Sequence, residues 1–292
     1  MTLAGPVFIA GLDHSGKTAL RLALAARAGI HLVRRFELWT RLWPAHRRDG
    51  RPDRLVHALT RGHGAAMGLD REGLLHAAET GAFGDVVREI GRQLCRRSGA
   101  RRWGVQEALL ELVADAVLRE LPEARIVHLV RDPRERYGAM LDARATGRAG
   151  VGAETAAWID STRAALRVAA ARPAEFKIVR YEALLEDREA TLREVCDFIG
   201  ASCPPRPAAG GGNGEADERR TGDVHLNEQD VAFIQAHAGS ELAAIGYRLQ
   251  PVAPRTGILR HRPIDAVRWQ LGRLAWRRRT RQLGPRFGAQ GG

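Results

Sequence analysis

Residues 11–18 read Gly-Leu-Asp-His-Ser-Gly-Lys-Thr and directly follow the apolar run Val-Phe-Ile-Ala at 7–10. This stretch matches the pattern G-x-x-x-x-G-K-T, in which a glycine-framed turn joins a buried strand to the start of a helix. Unpaired backbone N–H groups at such a helix start face an anion, so the pattern predicts a phosphate-binding loop and a nucleotide-type ligand. An ordinary strand-to-helix turn is the alternative interpretation.

The use of lysine supports the phosphate-binding interpretation. The chain has 46 Lys and Arg residues, and only Lys17 and Lys177 are lysines. One of them stands at the phosphate-facing position of the loop. A compact ammonium fits inside a tight anion-binding turn, whereas the broad guanidinium fork is not equivalent to it.

Composition limits the class of protein. A chain of 292 residues with 45% apolar residues is long enough for one substantial α/β domain. The net charge of +12 favours an anionic partner, but no recognised motif indicates a specific nucleic acid. The sequence has neither a run of about 18 apolar residues nor a basic flank before its first apolar run. We therefore expect a cytoplasmic protein with reduced cysteines.

Short β-branched runs alternate with helical patterns, which is typical of βαβ units around a parallel sheet. The sequence predicts a three-layer α/β/α domain of the phosphate-loop NTPase type over 1–250 and a basic amphipathic tail over 251–292. Strands are expected at 6–10, 30–33, 103–105, 125–130 and 176–180. Helices are expected at 17–28, 70–96, 107–120, 133–146, 153–171, 188–199 and 228–244. We expect loop and short helix around a site mouth at 44–64, and a flexible Pro/Gly-rich loop at 204–222.

Three further segments narrow the class of phosphate-loop protein. Residues 125–134, Arg-Ile-Val-His-Leu-Val-Arg-Asp-Pro-Arg, form an apolar strand with a basic cluster at its carboxyl end, the edge where open α/β sheets bind ligands. Residues 176–187 read Phe-Lys-Ile-Val-Arg-Tyr-Glu-Ala-Leu-Leu-Glu-Asp, and 191–200 read Thr-Leu-Arg-Glu-Val-Cys-Asp-Phe-Ile-Gly. With the first loop, these segments resemble the sulfotransferases that use 3′-phosphoadenosine-5′-phosphosulfate (PAPS), over about residues 5–250.

This resemblance implies roles for individual residues. The first loop of the family wraps the 5′-phosphosulfate, which assigns to the donor residues Asp13, His14, Ser15, Gly16, Lys17, Thr18 and Ala19. The arginine that grips the 3′-phosphate corresponds to Arg131, and Tyr181 falls in the same donor site. The family base that takes the acceptor's proton corresponds to Glu37. The alternatives are a surface glutamate at Glu37 and an ion-pair pattern of Arg131 and Arg134 with Asp132 and Glu135.

The chain also departs from the family pattern. His14 replaces a basic loop residue and Lys17 a threonine, so Lys17 and His14 are expected to stabilise charge on the leaving phosphate. Ala139 replaces a serine that binds the 3′-phosphate, and Arg219 or Arg220 of a late basic loop would compensate for it.

Near the expected reaction centre, Gln106 and Glu107 replace a lysine and a hydroxyl residue. Glu107 becomes a second candidate base. Alternatively, it belongs to the first turn of the following helix and interacts with the dipole of that helix.

A metal-dependent nucleotide kinase or NTPase is the rival interpretation, because the first loop matches a kinase loop better than a sulfotransferase loop. ATP chemistry needs a carboxylate at the end of an apolar strand to hold Mg²⁺. The best such strand ends in Val130-Arg131-Asp132, where a guanidinium stands in the way. A degenerate nucleotide-binding protein is a further alternative. We predict a PAPS-dependent sulfotransferase that has no metal site and acts on a small-molecule, sugar or lipid acceptor.

The tail places aromatic and aliphatic residues among arginines at helical spacing. Its apolar members are Trp269, Leu271, Leu274 and Trp276, and its arginines include Arg268, Arg273 and those at 277–279. Such a helix can associate with an anionic membrane surface, bind an acidic carrier or polymer, or pack its apolar stripe on the domain. The sequence leaves these alternatives open.

Overall fold

The computed structural model describes residues 4–34, 36–61, 63–143, 150–204, 226–251 and 258–283. The expected donor-binding residues Arg219 and Arg220, and the predicted flexible loop from 205 onward, lie outside these ranges. So do residues 252–257 and 284–292 of the tail.

Five parallel strands form the centre of the molecule. They are β1 (Val7–Ala10), β2 (Ile30–Arg34), β3 (Arg102–Gln106), β4 (Arg125–Val130) and β5 (Phe176–Arg180). Their spatial order is β2-β3-β1-β4-β5, which places β1 in the middle of the sheet. Ile9 of β1 lies opposite Gln106 of β3 and Val127 of β4. All five strands predicted from the sequence are confirmed.

Helices cover both faces of this sheet. They are α1 (Lys17–Arg27), α2 (Trp43–Asp49), α3 (Pro52–Leu59), α4 (His63–Ala66), α5 (Arg71–Ala78), α6 (Phe83–Ser98), α7 (Ala114–Glu120), α8 (Pro133–Asp142), α9 (Gly150–Ala171), α10 (Tyr181–Glu186), α11 (Arg188–Ile199), α12 (Glu228–Ile245) and α13 (Ile258–Thr280). A π-helical turn covers Leu38–Leu42, and 3₁₀ turns cover Leu110–Val113 and Arg281–Leu283.

The alternation of side chains along β1 separates two cores. Phe8 and Ala10 pack into a large cluster with α6, α7 and α9, whereas Val7 and Ile9 pack into a second cluster with α1 and α11. Successive residues of a strand point to opposite faces of its sheet, so one strand supports both layers. The architecture is the expected three-layer α/β/α arrangement.

Two of the predicted helices are wrong in detail. The helix expected at 70–96 is divided into α5 and α6 by a turn at residues 79–82, in which Gly81 has a φ of 74°. The helix expected from Glu107 begins later, because residues 107–109 continue from β3 without helical structure and Leu109 has a φ of 64°. Glu107 therefore does not interact with the dipole of a helix that starts at its own position.

Helix α13 packs along α9. Gly152 of α9 and Gly272 of α13 meet at the crossing, where a Cβ on either residue would collide with the backbone of the other helix. The indole of Trp276 is buried, and its Nε1 donates to Asp160 Oδ2 at 2.8 Å. Trp269 stacks on His237 at 4.3 Å between ring centroids. Like every other helix in the described part of the chain, α13 does not combine the length and apolarity needed to cross a bilayer.

Candidate active site

The loop after β1 has the backbone of an anion-binding turn. Gly11 and Gly16 have φ angles of 121° and 87°, which disfavour residues with a Cβ. A Cβ at Gly11 would collide with the carbonyl oxygen of Leu129, and one at Gly16 with the ring of Tyr181. Both glycines of the pattern are therefore needed for close packing as well as for conformation.

Lys17 begins α1 and reaches back over this loop. Its side chain is buried, and Nζ donates to the carbonyl oxygens of Gly11 at 2.8 Å and Leu12 at 2.5 Å. The same Nζ lies 3.7 Å from Asp13 Oδ1. The ammonium thus sits within the loop, at the position that the pattern predicts for contact with a phosphate.

Three more loop residues take part in local hydrogen bonds. The Ser15 hydroxyl donates to a carbonyl of the same loop at 2.7 Å, and the Ala19 N–H donates to Gly16 at 3.0 Å. Thr18 Oγ1 accepts from the Gln106 side chain at 3.4 Å. Ser15 and Ala19 therefore maintain the shape of the turn, while Thr18 connects it to β3.

His14 lies at the tip of the loop with a φ of 63°. Its side chain is half-buried, and burial, followed by the positive charges of Arg136, Lys17 and Arg131, lowers its pKa, while Asp13 has the opposite effect. These effects together favour the neutral imidazole. In the neutral form His14 offers one N–H to an anion without adding positive charge.

Arg131 and Tyr181 meet the loop from the carboxyl ends of β4 and β5. Arg131 Nη1 donates to the His14 carbonyl oxygen at 3.3 Å, and its guanidinium lies 4.9 Å from the centroid of the Tyr181 ring. The indole N–H of Trp158 donates to the Arg131 carbonyl at 2.8 Å. The structure thus brings together the loop and both residues that the resemblance assigned to the donor.

Arg134 has a structural role. Its Nε and Nη2 donate to the two carboxylate oxygens of Asp132 at 2.9 and 2.5 Å, and Asp132 also caps α8. The ion-pair interpretation is thus correct for Arg134. The kinase interpretation needs Asp132 as a magnesium ligand, but both of its carboxylate oxygens accept hydrogen bonds from Arg134. Ala139, on the same helix, is buried and has no hydroxyl to offer an anion.

Arg136 was not among the residues selected from the sequence. This buried arginine donates from Nε to the Asp13 carbonyl oxygen at 2.8 Å and from Nη2 to Glu154 Oε2 at 2.8 Å. Burial lowers its pKa, against the effect of Glu154. Its place in the basic cluster after β4 could have indicated a role at the loop. The direction of its side chain, however, depends on the ion pair with Glu154 of α9.

A cavity of about 340 Å³ opens beside the loop. Its walls are formed by residues Asp13, Lys17, Glu37, Thr40, Arg41, Gln106, Glu107, Ala108, Leu109, Arg279 and Leu283. The structure therefore places both candidate bases in the same cavity as the loop lysine. Arg279 and Leu283, which come from the end of the tail, were not expected there.

Glu37 stands at the rim of this cavity. Its side chain is 56% exposed and pairs with Arg41, whose Nε lies 3.1 Å from Glu37 Oε2. The π-helical turn begins at the next residue, and the Leu42 N–H donates to the Glu37 carbonyl oxygen at 3.2 Å. Such an exposed carboxylate can accept a proton from a molecule in the cavity.

Glu107 is fully enclosed and supports the turn that follows Glu37. Its Oε1 accepts from the N–H groups of Trp39 and Thr40 at 2.9 and 2.6 Å and from the Thr40 hydroxyl at 2.7 Å. Its Oε2 accepts from the Leu38 N–H at 3.2 Å. Burial raises the pKa of Glu107 to about 7, although these hydrogen bonds favour the ionised form. Its carboxylate interacts with the start of a helical turn distant in sequence.

A second buried carboxylate, that of Glu111, supports the loop through a hydrogen bond. Gly11 N–H donates to Glu111 Oε2 at 3.2 Å, and the Ser161 hydroxyl donates to Glu111 Oε1 at 2.5 Å. His128 Nδ1 lies 3.6 Å from Glu111 Oε2. Burial opposes ionisation, yet His128 and Ser161 hold the pKa of Glu111 below its usual value. Sequence reasoning missed this group, since Glu111 resembles any polar residue in a predicted helix.

The site combines a glycine-framed loop and its lysine with an arginine at the end of the neighbouring strand and carboxylates in an adjoining cavity. These features define the class of phosphate-loop proteins, whose loops are suited to anionic groups. The chain matches the sequence model of the sulfotransferase family over residues 6–205. This match covers more than half of its 292 residues, so the chain belongs to the sulfotransferase family.

One solved structure agrees in fold, and a second is reported after it for comparison. A sulfotransferase from Alicyclobacillus acidocaldarius is 16% identical, covers 85% of this chain and 98% of its own, and has a TM-score of 0.51. The sulfotransferase domain of the Synechococcus PCC 7002 olefin synthase is 19% identical, covers 92% of this chain and 94% of its own, and has a TM-score of 0.46. Among curated proteins, none matches the sequence.

Proposed function

We propose that the protein transfers a sulfuryl group from PAPS to the hydroxyl or amine of a small-molecule acceptor. The observation that carries this proposal is that Lys17 of the loop and Glu37 line one cavity. Transfer requires a cation where the donor's phosphate leaves and a base where the acceptor enters. We further propose that it takes place in the cytoplasm, where cysteines without disulfides are usual.

The donor end has the chemistry that PAPS requires. When bound, PAPS supplies the sulfuryl group, and its phosphate groups need cations and N–H donors. Lys17 and the N–H groups of the loop are suited to the 5′-phosphosulfate. Arg131, which lies against the loop and the Tyr181 ring, is suited to the 3′-phosphate. His14 would donate one hydrogen bond as a neutral imidazole.

At the acceptor end, Glu37 takes the proton from the acceptor hydroxyl or amine as that group attacks sulfur. Lys17 stabilises the negative charge that develops on the departing phosphate oxygen. Glu107 acts through Glu37. The Glu107 carboxylate accepts hydrogen bonds from N–H groups of the turn that begins immediately after Glu37. We therefore assign the base to Glu37 and a positioning role to Glu107.

The size of the cavity favours a small acceptor. A cavity of about 340 Å³ falls at the lower end of the range for small-molecule sites, and most of its wall is polar or charged. A small polar alcohol, amine or single sugar unit fits this description better than a long acyl chain. A lipid acceptor would have to place its reactive headgroup in the cavity and leave its chains outside.

Calorimetry distinguishes this function from nucleotide kinase chemistry. We expect the protein to bind 3′-phosphoadenosine-5′-phosphate more tightly than ADP with Mg²⁺, and the preference to shrink when AMP replaces the first ligand. Radiolabelled PAPS incubated with a panel of alcohols, phenols, amines and sugars then reports transfer directly. Tighter binding of ADP with Mg²⁺, together with no transfer to any acceptor, would contradict the proposal.

A further inference from the structure

The end of α13 forms a wall of the candidate active site. Trp276 is buried against α9, and the Thr280 hydroxyl donates to the Trp276 carbonyl oxygen at 3.1 Å. Leu283, in the 3₁₀ turn that follows, is also buried and lines the cavity. Removing a large buried side chain such as that of Trp276 leaves a cavity that the surrounding structure fills only in part, so these contacts hold the last turn of α13 in place.

Arg279 is the charged residue that this wall presents to the cavity. Its guanidinium carbon lies 6.0 Å from the centroid of the Trp276 ring, and its Nη2 lies 4.0 Å from Asp13 Oδ2. Lys17 Nζ lies 3.7 Å from the other oxygen of the same carboxylate. The two cations therefore flank Asp13 at the rim of the phosphate loop, although they come from opposite ends of the chain.

The contact with Asp13 does not account for this arginine. The side chains of Arg279 and Asp13 are 55% and 46% exposed, and solvent screens an exposed ion pair at such a distance, so the pair contributes little to stability. A guanidinium has five N–H donors, and a single carboxylate engages at most two of them well. Arg279 can thus donate to a second anion in the cavity while it remains beside Asp13.

The negative charge of Asp13 in the loop favours a further cation near a transferred sulfuryl group. Burial lowers the pKa of His14 and so favours its neutral form, and Asp13 adds a negative charge to the wall of the cavity beside the loop. A sulfuryl group carries negative charge throughout its transfer, and Lys17 is shared between the loop carbonyls and Asp13. A second cation offsets the repulsion from Asp13.

We propose that Arg279 is a catalytic residue that contacts the sulfuryl group during transfer. This inference rests on the proposed function. It goes beyond the family match, which ends at residue 205 and so does not include α13. In this scheme Arg131 holds the 3′-phosphate of the donor, whereas Arg279 contacts the sulfuryl group that is transferred from the donor to the acceptor. The two arginines therefore affect different steps.

The test compares Arg279→Ala with Arg278→Ala, a neighbouring exposed arginine that is not part of the cavity wall. Single-turnover transfer from PAPS to the best acceptor of the panel should slow by at least about tenfold in Arg279→Ala and by less than about twofold in Arg278→Ala. Affinity for 3′-phosphoadenosine-5′-phosphate, which lacks the sulfuryl group, should stay within about twofold of wild type in both variants. Arg279→Lys should recover part of the rate, since it restores charge without the guanidinium fork.

Each outcome decides the matter. Equal rates for Arg279→Ala and Arg278→Ala would overturn the inference and leave the proposed function intact. A parallel loss of ligand affinity in Arg279→Ala would also overturn it, because Arg279 would then shape the loop and not act on the sulfuryl group. A wild-type protein that neither binds the ligand nor transfers sulfate would refute the proposed function, and the inference with it.

Discussion

The buried carboxyl of Glu107 provides a quantitative test of the electrostatics in this site. Two effects compete there, since burial favours the neutral acid and four donors from residues 38–40 favour the carboxylate. Burial dominates and raises the pKa to about 7 from its usual 4.5. The folded protein therefore binds a proton more tightly at this position than the unfolded chain does.

The sign and size of the effect on stability follow by linkage. Because the folded-state pKa is raised, this contribution to stability is complete below about pH 4.5 and is lost as the pH rises to about 7. The full loss is about 3 kcal/mol, and about 2.5 kcal/mol of it falls between pH 5 and pH 8. Glu107→Gln resembles the protonated acid in shape and donors but does not titrate, so it lacks this pH dependence.

The assay is equilibrium unfolding in denaturant at pH 5 and pH 8 for wild type and Glu107→Gln. We expect the free energy of unfolding of wild type, relative to the variant, to fall by about 2 to 3 kcal/mol at the higher pH. Taking the difference between the two proteins removes the contributions of all other titrating groups. A difference that does not change with pH, or one that rises, would show that the N–H donors outweigh burial and would refute this reasoning.

Three further predictions address the donor site and the tail. Lys17→Ala should slow single-turnover transfer by about 10²-fold because a cation at the leaving phosphate is lost, whereas Lys177→Ala, which removes the other lysine, should leave the rate unchanged. Arg131→Ala should weaken binding of 3′-phosphoadenosine-5′-phosphate far more than binding of AMP in calorimetry, and equal losses would exclude a contact with the 3′-phosphate. If the tail associates with anionic membranes, Leu271→Glu, at a side chain 58% exposed on α13, should reduce co-sedimentation with phosphatidylserine vesicles, while Leu249→Glu should not. Co-sedimentation that is equal for both variants would contradict the membrane prediction.

Much of the architecture could be predicted because its signals are local. Each strand is a short apolar run with turn residues at its ends, and all five appear where the pattern places them. The break between α5 and α6 was missed, since the periodicity of apolar residues continues across Gly81 and conceals a turn that its positive φ permits. Helix α10 was also missed because it is short and follows directly on a strand.

The candidate site could likewise be predicted only in part from the sequence. The sequence indicated the loop, Arg131, Tyr181 and Glu37, and the structure brings them to one edge of the sheet, where their roles stay predictions. For Glu107 the sequence left two interpretations, a base or a partner of its own helix. The structure instead joins it to residues 38–40. This contact depends on the pairing of β2 with β3, which brings the residues after the two strands close together.

The phosphate loop, the parallel sheet around it and the family could be predicted from the sequence, because glycine conformation, strand patterning and motif spacing are properties of neighbouring residues. Which charges meet at the loop depends instead on how the helices pack. Arg136 reaches the backbone of Asp13 through the packing of α8, and Arg279 reaches its carboxylate through the packing of α13 on α9. The direction of a long cationic side chain depends on what its helix packs against, and for Arg279 that is a glycine contact between segments more than 100 residues apart.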